Sequence, residues 1–137
     1  MTSPRPPQRP VVRRLEDCVE ESWDDPVRGS VRWWELVGGE ATETSEITFG
    51  IAEVPADGHP LNRGHSHDAA EVYVVLSGEG EVVVSGEAFA VTPGSAVWIP
   101  ADVEHFARAV GTAPLRIAYV FGRDRFSEVT YSFPDAD

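Results

Sequence analysis

Two of the chain's four histidines, His65 and His67, flank a single serine. On an extended strand, residues two apart point to the same face, about 6–7 Å apart. Two imidazoles can therefore converge on one ion. Glu71 follows four residues after His67 and opens the run Glu71-Val72-Tyr73-Val74-Val75-Leu76. Alternation puts Glu71, Tyr73 and Val75 on one face and Val72, Val74 and Leu76 on the other. A carboxylate opening a strand of apolar residues is costly to bury alone and is stabilised by a cation. His105 follows Pro100-Ala101-Asp102-Val103-Glu104 and starts another extended segment. Three imidazoles and one carboxylate suit Fe(II), Mn(II), Ni(II), Co(II) or Zn(II) and disfavour Cu(I). One divalent ion per chain is expected, keeping about two open positions if octahedral. With one carboxylate such a site carries net positive charge and attracts an anionic or enolisable oxygen ligand.

Other residues bear on the same chemistry. Tyr73 shares a face with Glu71, so it is either a general acid/base near the metal or an aromatic lining the interior. Arg63, two residues before His65, offers a bidentate partner for a substrate carboxylate, or a solvated loop arginine; Arg116 has the same two readings. His59, in a Gly-His-Pro loop, reads as a surface residue. Ser66 points away from its two neighbours. Cys18 reads as a packing or surface thiol. Trp33, Trp34, Phe49, Trp98, Tyr119 and Phe121 supply aromatic bulk, mostly to the core, with one or two narrowing a pocket mouth.

The elements that must position these residues are mostly strands. The segments Val31–Val37, Thr42–Val54, Glu71–Leu76, Glu81–Val84, Ala88–Val91, Ala96–Ile99, Glu104–Val110, Leu115–Phe121 and Ser127–Phe133 are rich in β-branched and aromatic residues. Gly, Pro and Asp punctuate them, and Ser77–Gly80 and Ser85–Gly86 read as tight turns. This pattern predicts an all-β sandwich or barrel; no helix–strand alternation points to a parallel sheet. Leu15, Val19 and Trp23, spaced by four, predict a short N-terminal helix over Leu15–Asp25. Residues 1–14 form a Pro/Arg-rich arm with Pro4, Pro6, Pro7 and Pro10, expected to be disordered or extended. Its charge could lie on the acidic body of its own or a partner chain. The remaining residues, 15–137, make one domain, as a length of 137 allows.

Charge and composition exclude several classes. Eleven arginines, no lysine and 23 acids give a net charge of −12. From Leu15 onward seven arginines face all 23 acids, a balance of −16. Such a body repels phosphate backbones and anionic lipid, so neither nucleic acid nor a membrane surface is an expected partner. No apolar run approaches the roughly 18 residues of a membrane-spanning helix, and residues 1–10 lack the apolar region of a secretory signal. A single cysteine excludes an internal disulfide framework and fits a reducing compartment, here taken as the cytoplasm. No phosphate-binding glycine loop, nucleophile elbow or dinucleotide fingerprint is present.

The stretch Gly58-His59-Pro60-Leu61-Asn62-Arg63-Gly64-His65-Ser66-His67-Asp68-Ala69-Ala70-Glu71, six residues, then Gly78, resembles the first cupin motif. Its first glycine lies one residue further out than the usual pattern. Gly94, five residues, Pro100-Ala101-Asp102, two residues, His105 resembles the second motif, with Asp102 in place of glycine and Ala109 in place of asparagine. Asp tolerates the left-handed turn geometry glycine would take there. The resemblance implies a double-stranded β-helix, or jelly-roll barrel, with the metal inside it on His65, His67, Glu71 and His105. It also implies a homodimer, the common state of family members.

Three functions are compatible with a small-molecule substrate at such a site. A lyase, isomerase or cyclase would use the metal to stabilise an adjacent carbanion or enolate, with Tyr73 or metal-bound hydroxide moving the proton. A non-haem Fe(II) dioxygenase would give an open position to dioxygen. A non-catalytic domain would bind a metal or small ligand only. The redox-neutral reading is favoured, because four protein ligands leave two positions for a chelating substrate. Cupin lyases acting on sulfonium acids carry a tyrosine at the place of Tyr73. Asn62, three residues before His65, does not match their second tyrosine, so the resemblance does not extend to that substrate.

Overall fold

The computed structural model describes residues 9–134. The strands, in chain order, are β1 (Glu20–Asp25), β2 (Gly29–Val37), β3 (Thr48–Val54), β4 (Ser66–His67), β5 (Glu71–Ser77) and β6 (Gly80–Val84). They continue with β7 (Glu87–Val91), β8 (Ala96–Ile99), β9 (His105–Ala109), β10 (Leu115–Phe121) and β11 (Tyr131–Ser132). Two single 3-10 turns, Leu15–Asp17 and Phe126–Glu128, complete the regular structure. The strands form a six-stranded sheet in the order β1-β2-β3-β10-β5-β8, a three-stranded sheet β7-β6-β9 and a two-stranded sheet β11-β4. All pairings are antiparallel. The fold is all-β, as the strand pattern requires. Among the described residues the sheets are not hydrogen-bonded into a closed barrel.

The period of two is plain in the central strands. In β5, Glu71, Tyr73 and Val75 are buried while Val74 and Leu76 are exposed. In β10, Leu115, Ile117, Tyr119 and Phe121 are buried. These residues meet Ala52, Val82, Val91, Ile99 and Val129 in one core. Ser85 and Gly86, both at positive φ (50° and 82°), form the two-residue hairpin turn between β6 and β7. Asp102 sits at φ 66°, the left-handed conformation in which a motif glycine would be unstrained.

One expectation is corrected. The N-terminal helix over Leu15–Asp25 is absent. Only Leu15–Asp17 turn, and Glu20–Asp25 pair with β2 as an edge strand. A spacing of four is even, so it satisfies a strand as well as a helix; Trp23 packs inward on Trp33, with ring centroids 4.9 Å apart. Val19 is exposed, so no helical stripe exists to bury. Of the six aromatics expected to be mostly core, Tyr119 and Phe121 are buried, whereas Trp98 lies on the outer face of β8, 67% exposed. Of the expected arm, residues 1–8 lie outside the described residues, and Arg9–Arg14 carry no regular structure. No helix among the described residues is long and apolar enough to cross a membrane.

Candidate metal centre

Three different backbone devices bring the histidines together. His65 and His105 form an isolated antiparallel bridge. His67 lies on β4, directly opposite Tyr131 of β11. Glu71 opens β5 on its buried face. One ligating nitrogen from each of His65, His67 and His105 lies within 4.8 Å of the others. Their ring centroids are 4.6 Å (His65–His105), 4.7 Å (His67–His105) and 5.7 Å (His65–His67) apart. Gly64 is required beside them: a Cβ there would fall on the His105 carbonyl.

The hydrogen bonds fix which nitrogens face inward. His67 Nδ1 donates to the Ala69 carbonyl at 2.7 Å, and His105 Nδ1 donates to the Val103 carbonyl at 2.8 Å. A carbonyl only accepts, so each Nδ1 carries a hydrogen and each Nε2 turns inward. Glu71 Oε1 lies 3.1 Å from His67 Nε2 and 3.5 Å from His105 Nε2. His105 Nε2 is buried with no hydrogen-bond partner among the described residues. With the rings neutral these are acceptors converging on acceptors, an arrangement that a cation between them satisfies. Burial, then the neighbouring His105 and His67, lower the pKa of His65 to about 2, so it stays neutral, the form that binds metals. The cluster thus fits a mononuclear divalent metal. Backbone carbonyls behind two of the imidazoles supply the outer support such sites use.

A cavity of about 70 Å³ adjoins the cluster, walled by Trp23, Trp33, Tyr73, Tyr119, Phe126 and Tyr131 among others. Tyr73 is buried there, its ring 6.1 Å from His105. Burial, and next the charge of Glu71, push its pKa well above that of an ordinary phenol. Arg63 lies at the surface, its guanidinium on Glu104 at 2.6 Å. Arg116 is ion-paired to Glu53 at 3.0 Å. His59 is exposed, its Nε2 3.5 Å from Asp24.

Sequence reasoning missed Tyr131. Its ring lies 5.1 Å from His65 and 4.9 Å from His67. Asn62 is exposed, and the second tyrosine at the histidines arrives from β11 instead. The alternation of Tyr131 and Phe133 with polar residues was the available signal, but only the β4–β11 pairing sets it over the site.

Comparison with known proteins agrees with this geometry. Residues 52–121 match the Cupin domain family. The chain is 38% identical over 127 residues to dimethylsulfoniopropionate lyase DddW of Ruegeria pomeroyi, covering 93% of this chain and 82% of that protein. Among solved structures, Rru_A2000 of Rhodospirillum rubrum, a cupin-2 domain, is 25% identical with a TM-score of 0.68, covering 96% of this chain and 83% of that one. The polyketide cyclase RemF of Streptomyces resistomycificus is similar in fold, with a TM-score of 0.68 at 21% identity, covering 95% and 89%.

Proposed function

The chain belongs to the cupin-domain family, and from that premise we propose that it is a metal-dependent lyase for a small carboxylate bearing a leaving group on its β-carbon. The observation that carries the reading is the convergence of three imidazole nitrogens and the Glu71 carboxylate beside an aromatic cavity. His65, His67, Glu71 and His105 would hold the metal. Bound there, a divalent ion supplies Lewis acidity to a carboxylate or carbonyl oxygen.

The relative's name makes dimethylsulfoniopropionate the substrate to try first. Its cleavage is an elimination. The proton leaves the carbon next to the carboxylate, the carbon–carbon double bond forms, and the carbon–sulfur bond breaks with its electron pair going to sulfur. Acrylate, dimethyl sulfide and a proton result. We assign the proton transfer to Tyr73 in the cavity wall, as the phenolate that a cation held by Glu71 and the histidines would favour against burial and the Glu71 charge, with Tyr131 holding the substrate against the histidines. The aromatic walls exclude water from the reacting carbon. Arg63 was the sequence's candidate for the substrate carboxylate; with its guanidinium on Glu104, that role passes in this reading to the metal side of the cavity.

The same reading takes the sheets as a jelly-roll barrel and the working form as a cytoplasmic homodimer. Trp98, Val74 and Leu76 leave an apolar outer face on β5 and β8 for a second copy, and the sequence has no second cysteine for Cys18 to pair with. The test is dimethyl sulfide release, followed in the headspace, by full-length protein loaded in turn with Fe(II), Mn(II), Ni(II), Co(II) and Zn(II). Release with at least one metal supports the reading. Tight metal binding with no release from any sulfonium or β-substituted carboxylate overturns it in favour of a binding domain.

A further inference from the structure

The cavity is lined by His65 and Glu71 and also by Tyr119. Tyr119 stands in a single row of residues crossing four strands: Glu35 of β2 lies opposite Gly50 of β3, Gly50 opposite Tyr119 of β10, and Tyr119 opposite Tyr73 of β5. Gly50 makes room in this row, since a Cβ there would collide with the Tyr119 hydroxyl and the Trp34 carbonyl. Tyr119 is 4% exposed, and its Oη has no hydrogen-bond partner among the described residues. Burying a hydroxyl without a partner costs on the order of 1–3 kcal/mol, a cost that a ligand can relieve.

We propose that the part of the cavity formed by Trp33 and Phe126 with the Tyr119 oxygen is an onium-binding subsite that takes the cationic head of a zwitterionic substrate while its carboxylate faces the histidines. The inference rests on the lyase reading and names which residues would select its substrate class. Trp23 and Trp33 meet edge to face at 4.9 Å, and Trp33 and Phe126 lie 6.0 Å apart. Aromatic faces carry negative potential and attract alkylated cations, most strongly where water is excluded. The Tyr119 oxygen adds lone pairs for the polarised C–H groups of an onium methyl. Burial keeps that phenol protonated, and the charge of Glu35 acts in the same direction. The field that disfavours a phenolate there favours a cation. Behind Trp33 and Phe126 lies a groove of about 570 Å³ lined by Glu21, Glu35 and Glu40 against Arg13. A cationic head therefore meets negative potential both outside and inside that wall.

The probes are 3-(trimethylammonio)propanoate and its uncharged isostere 4,4-dimethylpentanoate, which share shape and carboxylate and differ in one charge. Calorimetric titration of the full-length, Zn(II)-loaded protein should show the betaine binding about tenfold tighter or more. In Trp33→Leu and in Tyr119→Phe the preference should shrink towards one, with zinc content per chain unchanged. Equal or tighter binding of the isostere to wild type overturns the subsite, as does binding of neither probe. Dimethyl sulfide release, measured in parallel, separates the two readings. Release without charge selectivity removes the subsite and leaves the lyase; selectivity without release removes the lyase and leaves the subsite.

Discussion

His65 and His105 exchange both backbone hydrogen bonds, N–H to carbonyl at 3.1 Å one way and 2.8 Å the other. The residues that bring two of the three imidazoles together are thus joined through their own peptide groups. Separation of the loop before β4 from the start of β9 would pull the cluster apart.

Gly64→Ala should cost stability and metal together. The added methyl falls on the His105 carbonyl, where backbone has to move. A loss of about 2–4 kcal/mol is expected, in the range of overpacked buried sites. Denaturant unfolding and elemental analysis of the purified variant check it; an unchanged midpoint with full metal would contradict the bridge's role.

His105→Ala should lose most of the metal while its circular dichroism stays that of a β-protein. The side chain contributes an inward Nε2, whereas the β6–β9 ladder that holds position 105 is made by backbone groups. Full retention of metal by this variant would remove His105 from the ligand set.

Tyr73→Phe should lower kcat for dimethylsulfoniopropionate by about a hundredfold or more, the usual scale for a lost proton-transfer group. Tyr131→Phe should act mainly on KM, because its ring contacts with the histidines survive the change. Metal content should stay at the wild-type level in both. Steady-state kinetics of the two variants side by side distinguish the roles; equal effects on kcat would merge them.

Chelation should abolish dimethyl sulfide release, and re-addition of a divalent metal should restore it. Removing oxygen should change nothing, since elimination needs no oxidant. Substrate-dependent oxygen uptake, read with an electrode, would instead identify a dioxygenase.

Much of the site was legible because it follows from local alternation. Glu71, Tyr73 and Val75 share the buried face that a period of two assigns them. Asp102 takes the left-handed turn expected of a residue standing in for glycine. What escaped depended on contacts distant in sequence. The segment from Leu15 to Asp25 is too rich in acids and too short of apolar residues for period alone to decide between helix and edge strand; pairing with β2 decided it. Tyr131 sits in a two-residue strand that pairs, among the described residues, with β4, so nothing local marks it as a neighbour of His67. Which of the six aromatics would leave the core was likewise not legible: Trp98 alternates outward from the buried Ile99.

The carbonyls of Ala69 and Val103 orient two of the imidazoles, and every amino acid carries such a carbonyl. Genetic drift at positions 69 and 103 can change what surrounds the histidines without deleting the atoms that aim them. A site anchored this way tolerates divergence around its donors, leaving the pocket walls free to be reshaped for new substrates while the same nitrogens keep facing inward.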